Sequence, residues 1–213
     1  MTKIGNTLSI RQVQDRKQLR DFLHLPASLY ADDPSWITPL AIEQKQRYSK
    51  KNPFFQHARW NAWVAYRGLE PVGRISAQID ALHLERYGDS TGHFGSLEAR
   101  DDPEVFAALV ESAQHWLRSE GMQRVTGPFN LSVNEECGLL VEGFDTPPCI
   151  MMGHARPFYG QNIEALGFDK AKDLLAYRVA PDFEAPRVMR SLAKRASDRV
   201  RVRPLNRKAL GEE

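Results

Sequence analysis

The side chains best suited to chemistry gather in one short stretch, Gly127-Pro-Phe-Asn-Leu-Ser-Val-Asn-Glu-Glu136, where donors and acceptors stand beside an aromatic ring. Asn130, Asn134 and Glu135 could bind a polar substrate. The same residue types also cap and brace loops, and both readings stand at this level. Cys137, Cys149 and His154 are the nearest approach to a metal set, but their spacing matches no structural zinc pattern and a fourth ligand is missing. His57, His83, His93 and His115 are scattered without ligand spacing. Phosphate-binding P-loop, Gly-x-Ser-x-Gly elbow, His-Glu-x-x-His and dinucleotide glycine patterns are all absent.

These residues belong to a chain of 213, with 42% hydrophobic and 26% charged residues. That is enough for one core removing roughly 70% of the unfolded surface from water. Average Gly and Pro usage excludes fibrous and wholly disordered classes. No run approaches the ~18 apolar residues of a membrane span, and the N-terminus lacks a secretory pattern, so the chain reads as soluble, cytoplasmic and without a membrane partner. Two cysteines are then two free thiols.

The formal charge of +2 is uneven. Residues 181–213 hold nine Lys/Arg against five Asp/Glu, a net +4, and the first 180 residues are slightly acidic. The basic tail carries Lys194, Arg195, Arg199, Arg201 and Arg203, which could meet phosphates. No aromatic residue is interleaved, so a nucleic-acid partner is the weaker reading beside a solvated helix and an edge strand.

Several elements must position the candidate residues. Leu8 to Val13 alternates as a half-buried strand, and Asp15 caps a helix through Leu19, Phe22 and Leu23 that Pro26 should break. Ala31 to Trp36 is a turn, and a polar helix runs from Ile42 to Lys50. Trp60 to Arg67, Val72 to Asp80 and Thr91 to Ala99 read as an antiparallel meander. In its middle strand Ile75, Ala77 and Ile79 face one way; Arg74, Ser76, Gln78 and Asp80 face the other, which implies a partly wet sheet face. Asp102 and Pro103 open a long helix through Val105, Leu109, Ala113 and Trp116, with Gly121 past its end. A short strand follows at Arg124. Residues 130–148 form a connection long enough to carry a short helix, function, or both. Tyr159, Ile163 and Leu166 mark one face of another helix ended by Gly167, and Phe168 to Val179 reads as the last strand. The order describes an α+β unit over 1–180: a mixed, mostly antiparallel sheet flanked by helices.

Glu70-Pro-Val-Gly-Arg-Ile75 resembles a hairpin of the GNAT superfamily of N-acetyltransferases. The block Phe158-Tyr-Gly-Gln-Asn-Ile-Glu-Ala-Leu-Gly-Phe168, with Leu174-Leu-Ala-Tyr-Arg178, resembles that superfamily's last helix and strand. Asp33-Pro-Ser-Trp36, Asn52-Pro-Phe-Phe55 and Cys137-Gly-Leu-Leu-Val-Glu-Gly-Phe-Asp145 are similar to a bacterial branch of GNAT-like proteins longer than this chain. The resemblance implies an acyl-CoA N-acyltransferase fold, acetyl-CoA or another acyl-CoA as donor, no metal, and an amine as acceptor. It implies that Tyr159 is a general acid toward the leaving thiolate, a phenol near pKa 10 suiting a thiol near 8.5. The general base would come from Glu98, Glu135, Glu136 or Glu142, and spacing does not choose between them; Glu98 is the one set beside Tyr159 as a catalytic candidate.

In that superfamily a glycine-rich loop at a helix N-terminus holds the donor's pyrophosphate. Here the place is filled by Glu98-Ala-Arg-Asp-Asp-Pro103, in which Arg100 is a cofactor-binding cation but Asp101 and Asp102 put negative charge where the anion would lie. Two functions follow: an acyltransferase with a degenerate loop, or a non-catalytic domain serving a second one. Past 181, Val200 to Leu210 resembles Ser9 to Leu19, so 181–213 reads either as a basic extension or as the start of a second, truncated copy. The partner would then be a second such domain or a homodimer.

Overall fold

A computed structural model describes residues 7–180, 182, 184–197, 199–200 and 203–209. The chain divides into two compact units, Met1–Lys172 and Asp173–Glu213.

The first unit is built on a five-stranded sheet of sequential order: β1 (Leu8–Gln12), β2 (Ala58–Arg67), β3 (Glu70–Asp80), β4 (Thr91–Ala99) and β5 (Arg124–Thr126). The first four strands are antiparallel and β5 runs parallel to β4. α1 (Arg16–Leu29) starts at Asp15, whose carboxylate accepts the Gln18 N–H while the Gln18 side chain accepts the Asp15 N–H. α2 (Ala41–Arg47) follows, and a 3-10 turn at Pro53–Gln56 leads into β2. α3 (Ala81–Tyr87), an element not expected between the two strands, is capped by Asp80 and ends at Gly88 with φ +60°. α4 (Pro103–Ser119) and α5 (Phe158–Glu164) complete the unit.

The two faces of the sheet bury different chemistry. On one, Trp63, Ile75, Ala77 and Phe94 pack against Val105, Phe106 and Leu109 of α4 and Tyr159 and Ile163 of α5. On the other, Phe22 of α1 meets Ala62, Val64 and Tyr66. The expected wet face is therefore dry at Arg74, Ser76 and Gln78, which are at most 7% exposed. Each makes at least one buried hydrogen bond: Arg74 Nη1 donates to Phe22 O at 2.8 Å, Ser76 Oγ to Ser96 Oγ at 3.2 Å, and Gln78 Nε2 to Phe129 O at 2.6 Å, while Arg74 Nε and Gln78 Oε1 are buried without a partner. Only Asp80 stays at the rim, beside His57.

Pro26 does not break α1. A proline at that position cannot donate to the carbonyl four residues earlier, Phe22 O, and the Arg74 guanidinium makes that bond instead. Residues 130–148 contain no helix, and Phe168 to Val179 forms no strand. Leu174, Leu175, Tyr177 and Val179 form an apolar, aromatic and β-branched run but stand 63% or more exposed. Such residue types give strand propensity, yet a strand needs a neighbouring edge to bond.

Among its described residues the second unit holds one helix, α6 (Arg187–Ser197). Of the residues expected to open a second copy, Arg201, Val202 and Leu210 lie outside the described set, and 203–209 contains a turn but neither helix nor strand. Among the described residues no helix is long and apolar enough to cross a membrane.

Candidate active site

The site forms at the C-terminal end of β4. The β3–β4 register shifts between Arg74 and Ser76, and Ser96 there has φ +49°, outside the ordinary strand region. The extra residue switches the alternation, so that Ser96 and Glu98 meet polar groups of the α1 side although Phe94, two residues before Ser96, packs in the α4 core with Leu97 and Ala99.

Glu98 is the centre of the cluster, with a side chain 15% exposed. Its Oε2 accepts the Tyr30 hydroxyl at 2.6 Å and the Tyr159 hydroxyl at 2.9 Å, and Arg74 Nη2 lies 3.9 Å from Oε1. The Tyr159 oxygen also accepts the Ala99 N–H at 3.0 Å. Tyr30 comes from α1's C-cap and Tyr159 from α5, so three elements converge on one carboxylate. Burial pushes the Glu98 carboxyl up, against the opposing pull of Arg74 and the two phenols. Burial, reinforced by the Glu98 charge, pushes both tyrosine hydroxyls up, so they stay protonated donors. A carboxylate of raised basicity in contact with two phenols can accept a proton and hand one on.

A cleft of about 460 Å³ opens beside this cluster, bordered by Ser28, Asp32, Ala99, Arg100, Arg156 and Phe158. Arg156 spans its wall: it donates to Leu29 O at the end of α1, pairs with Asp32 and Asp33, and covers the Tyr30 ring. His154 Nε2 meets Asp33 Oδ2 at 3.0 Å.

Arg100 borders the cleft but does not join Glu98; its guanidinium pairs with Glu70 and its N–H with Val72 O. It therefore does not offset Asp102. That task falls to Arg67, whose Nη2 lies 2.7 Å from Asp102 Oδ2 and also pairs with Glu104, holding the Asp102 carboxyl below the usual range. Asp102 Oδ1 accepts the Glu104 N–H at 3.0 Å. These residues do not fit a diphosphate: a first-turn N–H is already capped, two carboxylates flank it, and the nearby cation is committed to both.

The sequence candidates 130–136 gather on a second network. Ser96 N–H donates to Asn130 Oδ1 at 2.6 Å, Asn130 Nδ2 to Glu136 Oε2 at 2.8 Å, and Arg47 of α2 pairs with Glu135 at 3.0 Å and Glu136 at 2.9 Å. Tyr48 Oη sits 2.7 Å from Ser96 Oγ. Burial raises the Glu135 carboxyl, with Arg47 opposing. Asn134 instead stands exposed in a turn, its backbone N–H bonded to Ser132 Oγ, and Glu142 is exposed. The structure thus unites Glu98 with Tyr159, and Asn130 with Glu135. It adds Tyr30, Arg74 and Arg47, whose only sequence signal was Arg74's place on a polar strand face. Among the described residues no three His, Cys, Asp or Glu side chains gather as a metal site.

No family model matches the chain. It is 48% identical over 205 residues to Protein YghO of Escherichia coli (strain K12), covering 96% of this chain and 53% of that protein. It is 47% identical over 190 residues to the bacterial ceramide synthase of Caulobacter vibrioides, covering 88% of this chain and 50% of that protein. Among solved structures, an aminoglycoside N-acetyltransferase in complex with CoA is 15% identical with a TM-score of 0.48, over 84% of this chain and 99% of its own. A tandem GNAT protein from the clavulanic acid biosynthesis pathway is 17% identical with a TM-score of 0.48, over 76% of this chain and 43% of its own. The chain spans about half the length of the curated relatives it matches.

Proposed function

We propose that the chain is part of an N-acyltransferase that forms an amide on a long-chain amino alcohol, with Glu98 and Tyr159 at the reacting end of β4. The observation carrying this reading is the 47% identity to a bacterial ceramide synthase across 88% of the chain. A ceramide is the amide of a fatty acid with a long-chain amino alcohol, so an enzyme named for making it forms a C–N bond.

The cluster has the chemistry for that step. As the amine nitrogen bonds to the acyl carbon and the bond to the leaving group breaks, the amine must lose a proton and the leaving group must gain one. Glu98, raised by burial, accepts the first; Tyr159 donates the second; their 2.9 Å hydrogen bond returns the proton from carboxyl to phenol. The donor's diphosphate, if it has one, is held elsewhere than at α4.

The Ala99 N–H favours a second reading. An exposed strand amide could polarise an acyl carbonyl, but Tyr159 already occupies this one. In that reading the unit binds the acceptor, or braces a second domain or second copy where the chemistry occurs.

The test is amide formation by the intact protein from an acyl thioester and a long-chain amino alcohol, read by mass spectrometry. Glu98→Gln and Tyr159→Phe should each lower kcat about 100-fold or more while the protein stays folded. Full activity in both folded variants would move the chemistry out of this unit and establish the second reading. Absence of any amide product would sink the acyltransferase reading.

A further inference from the structure

α6 is a short helix with every residue exposed and its two faces sharply different. At 100° per residue, Val188, Met189, Leu192, Ala193 and Ala196 fall within an arc of about 140°. Arg187, Arg190, Lys194 and Arg195 fill the remaining side, and the helix contains no acidic residue. Val188, Met189 and Leu192 stand 69%, 52% and 57% exposed.

We propose that α6 is an in-plane binding element for an anionic lipid surface. Charge complementarity chooses the occupant: four cations on a helix with no acidic residue of its own favour a surface carrying negative charge at about 1 kcal/mol per Lys or Arg. The apolar arc decides between anionic surfaces. Phosphates of a nucleic acid would satisfy the cations but leave Val188, Met189 and Leu192 in water, whereas a bilayer interface takes both faces at once. Arg195 sits at the edge of the arc, where a long side chain can bury its stem and keep its charge among headgroups. At 1.5 Å per residue the helix is about 16 Å long, far short of a bilayer, so it lies on the surface. The inference stands on the helix alone and does not require the acyltransferase reading.

Vesicle flotation of the intact protein tests it without reading catalysis. Equimolar phosphatidylglycerol and phosphatidylcholine vesicles should carry the protein up a gradient, and phosphatidylcholine vesicles alone should not. The double variant R190E/K194E and the double variant V188S/L192S should each weaken binding roughly tenfold or more, consistent with the per-charge and per-area costs. Because α6 buries none of these side chains, both variants should keep the wild-type circular dichroism and melting profile. Wild type failing to float would overturn the proposal and leave the apolar arc to another protein surface. Loss on charge reversal with no loss in V188S/L192S would also overturn it, pointing to purely ionic contact of the kind a nucleic acid makes.

Discussion

At the scale of single residues, Glu98 sets an electrostatic signature that can be measured. Its folded carboxyl is raised above the ordinary 4.5, so the folded state holds that proton more tightly than the unfolded chain does. The stability this provides is whole below about pH 4.5 and is lost as pH rises through the raised folded value. Asp102 and Asp33 act oppositely: Arg67 and His154 respectively lower their carboxyls, and their contribution, present above about pH 3.8, is lost on acidification. Glu98→Gln removes only the first slope. It is expected to raise the urea midpoint at neutral pH relative to wild type, and the two proteins should converge as pH falls toward 4.5. A variant less stable than wild type at pH 7 would mean that the ionised carboxylate, not the protonated one, is the favoured folded form. Gaining stability while losing activity is what a strained functional group should do. Tyr159 was legible as a candidate because a family resemblance marked it, whereas Glu98 was one of four carboxylates between which spacing does not choose. Tyr30 was not, because its hydroxyl reaches Glu98 across 68 positions of sequence and no local pattern encodes that approach.

At the scale of elements, what could be read depended on whether the deciding partner was local. α4 announced itself through Asp102, Pro103 and helical apolar spacing, and the hydrogen bond from Glu104 N–H to Asp102 is a matter of two residues. α1's passage through Pro26 was not readable, because the group replacing the missing donor is Arg74 on β3. The last strand failed for a related reason: the strand propensity of Leu174 to Val179 is a property of the segment, but a ladder is a property of two segments. The Asp102 cap gives an element-level prediction. Asp102→Ala should lower stability by about 1 kcal/mol through loss of the N-cap. Asp102→Asn keeps an acceptor for the Glu104 N–H and should lie within a few tenths of a kcal/mol of wild type. Urea denaturation of the pair measures the difference; equal losses would show that the Arg67 pairing, rather than the cap, carries the effect.

At the scale of the whole molecule, the two units differ in what they bury. The apolar core on both faces of the sheet is drawn entirely from residues before Lys172, the latest buried member being Ile163. Described residues after Asp173 are almost all exposed, and none is buried. Cooperative stability follows buried surface, so the protein ending at Lys172 should fold by itself. Its melting temperature is expected within about 3 °C of the longer chain, a span worth about 1 kcal/mol for a domain of this size. Its urea transition should stay a single step with a slope close to that of the longer chain, since no described residue after Asp173 is buried. The Glu98 cluster supplies an internal check, because all four of its members, Tyr30, Arg74, Glu98 and Tyr159, lie in the first unit. The pH slope that Glu98→Gln removes should therefore persist in the shortened protein and vanish in its E98Q version. A shortened protein that melts much earlier, or broadly, would show that residues 173–213 complete the core. A normal melt without the pH slope would show instead that they seal the carboxylate from water.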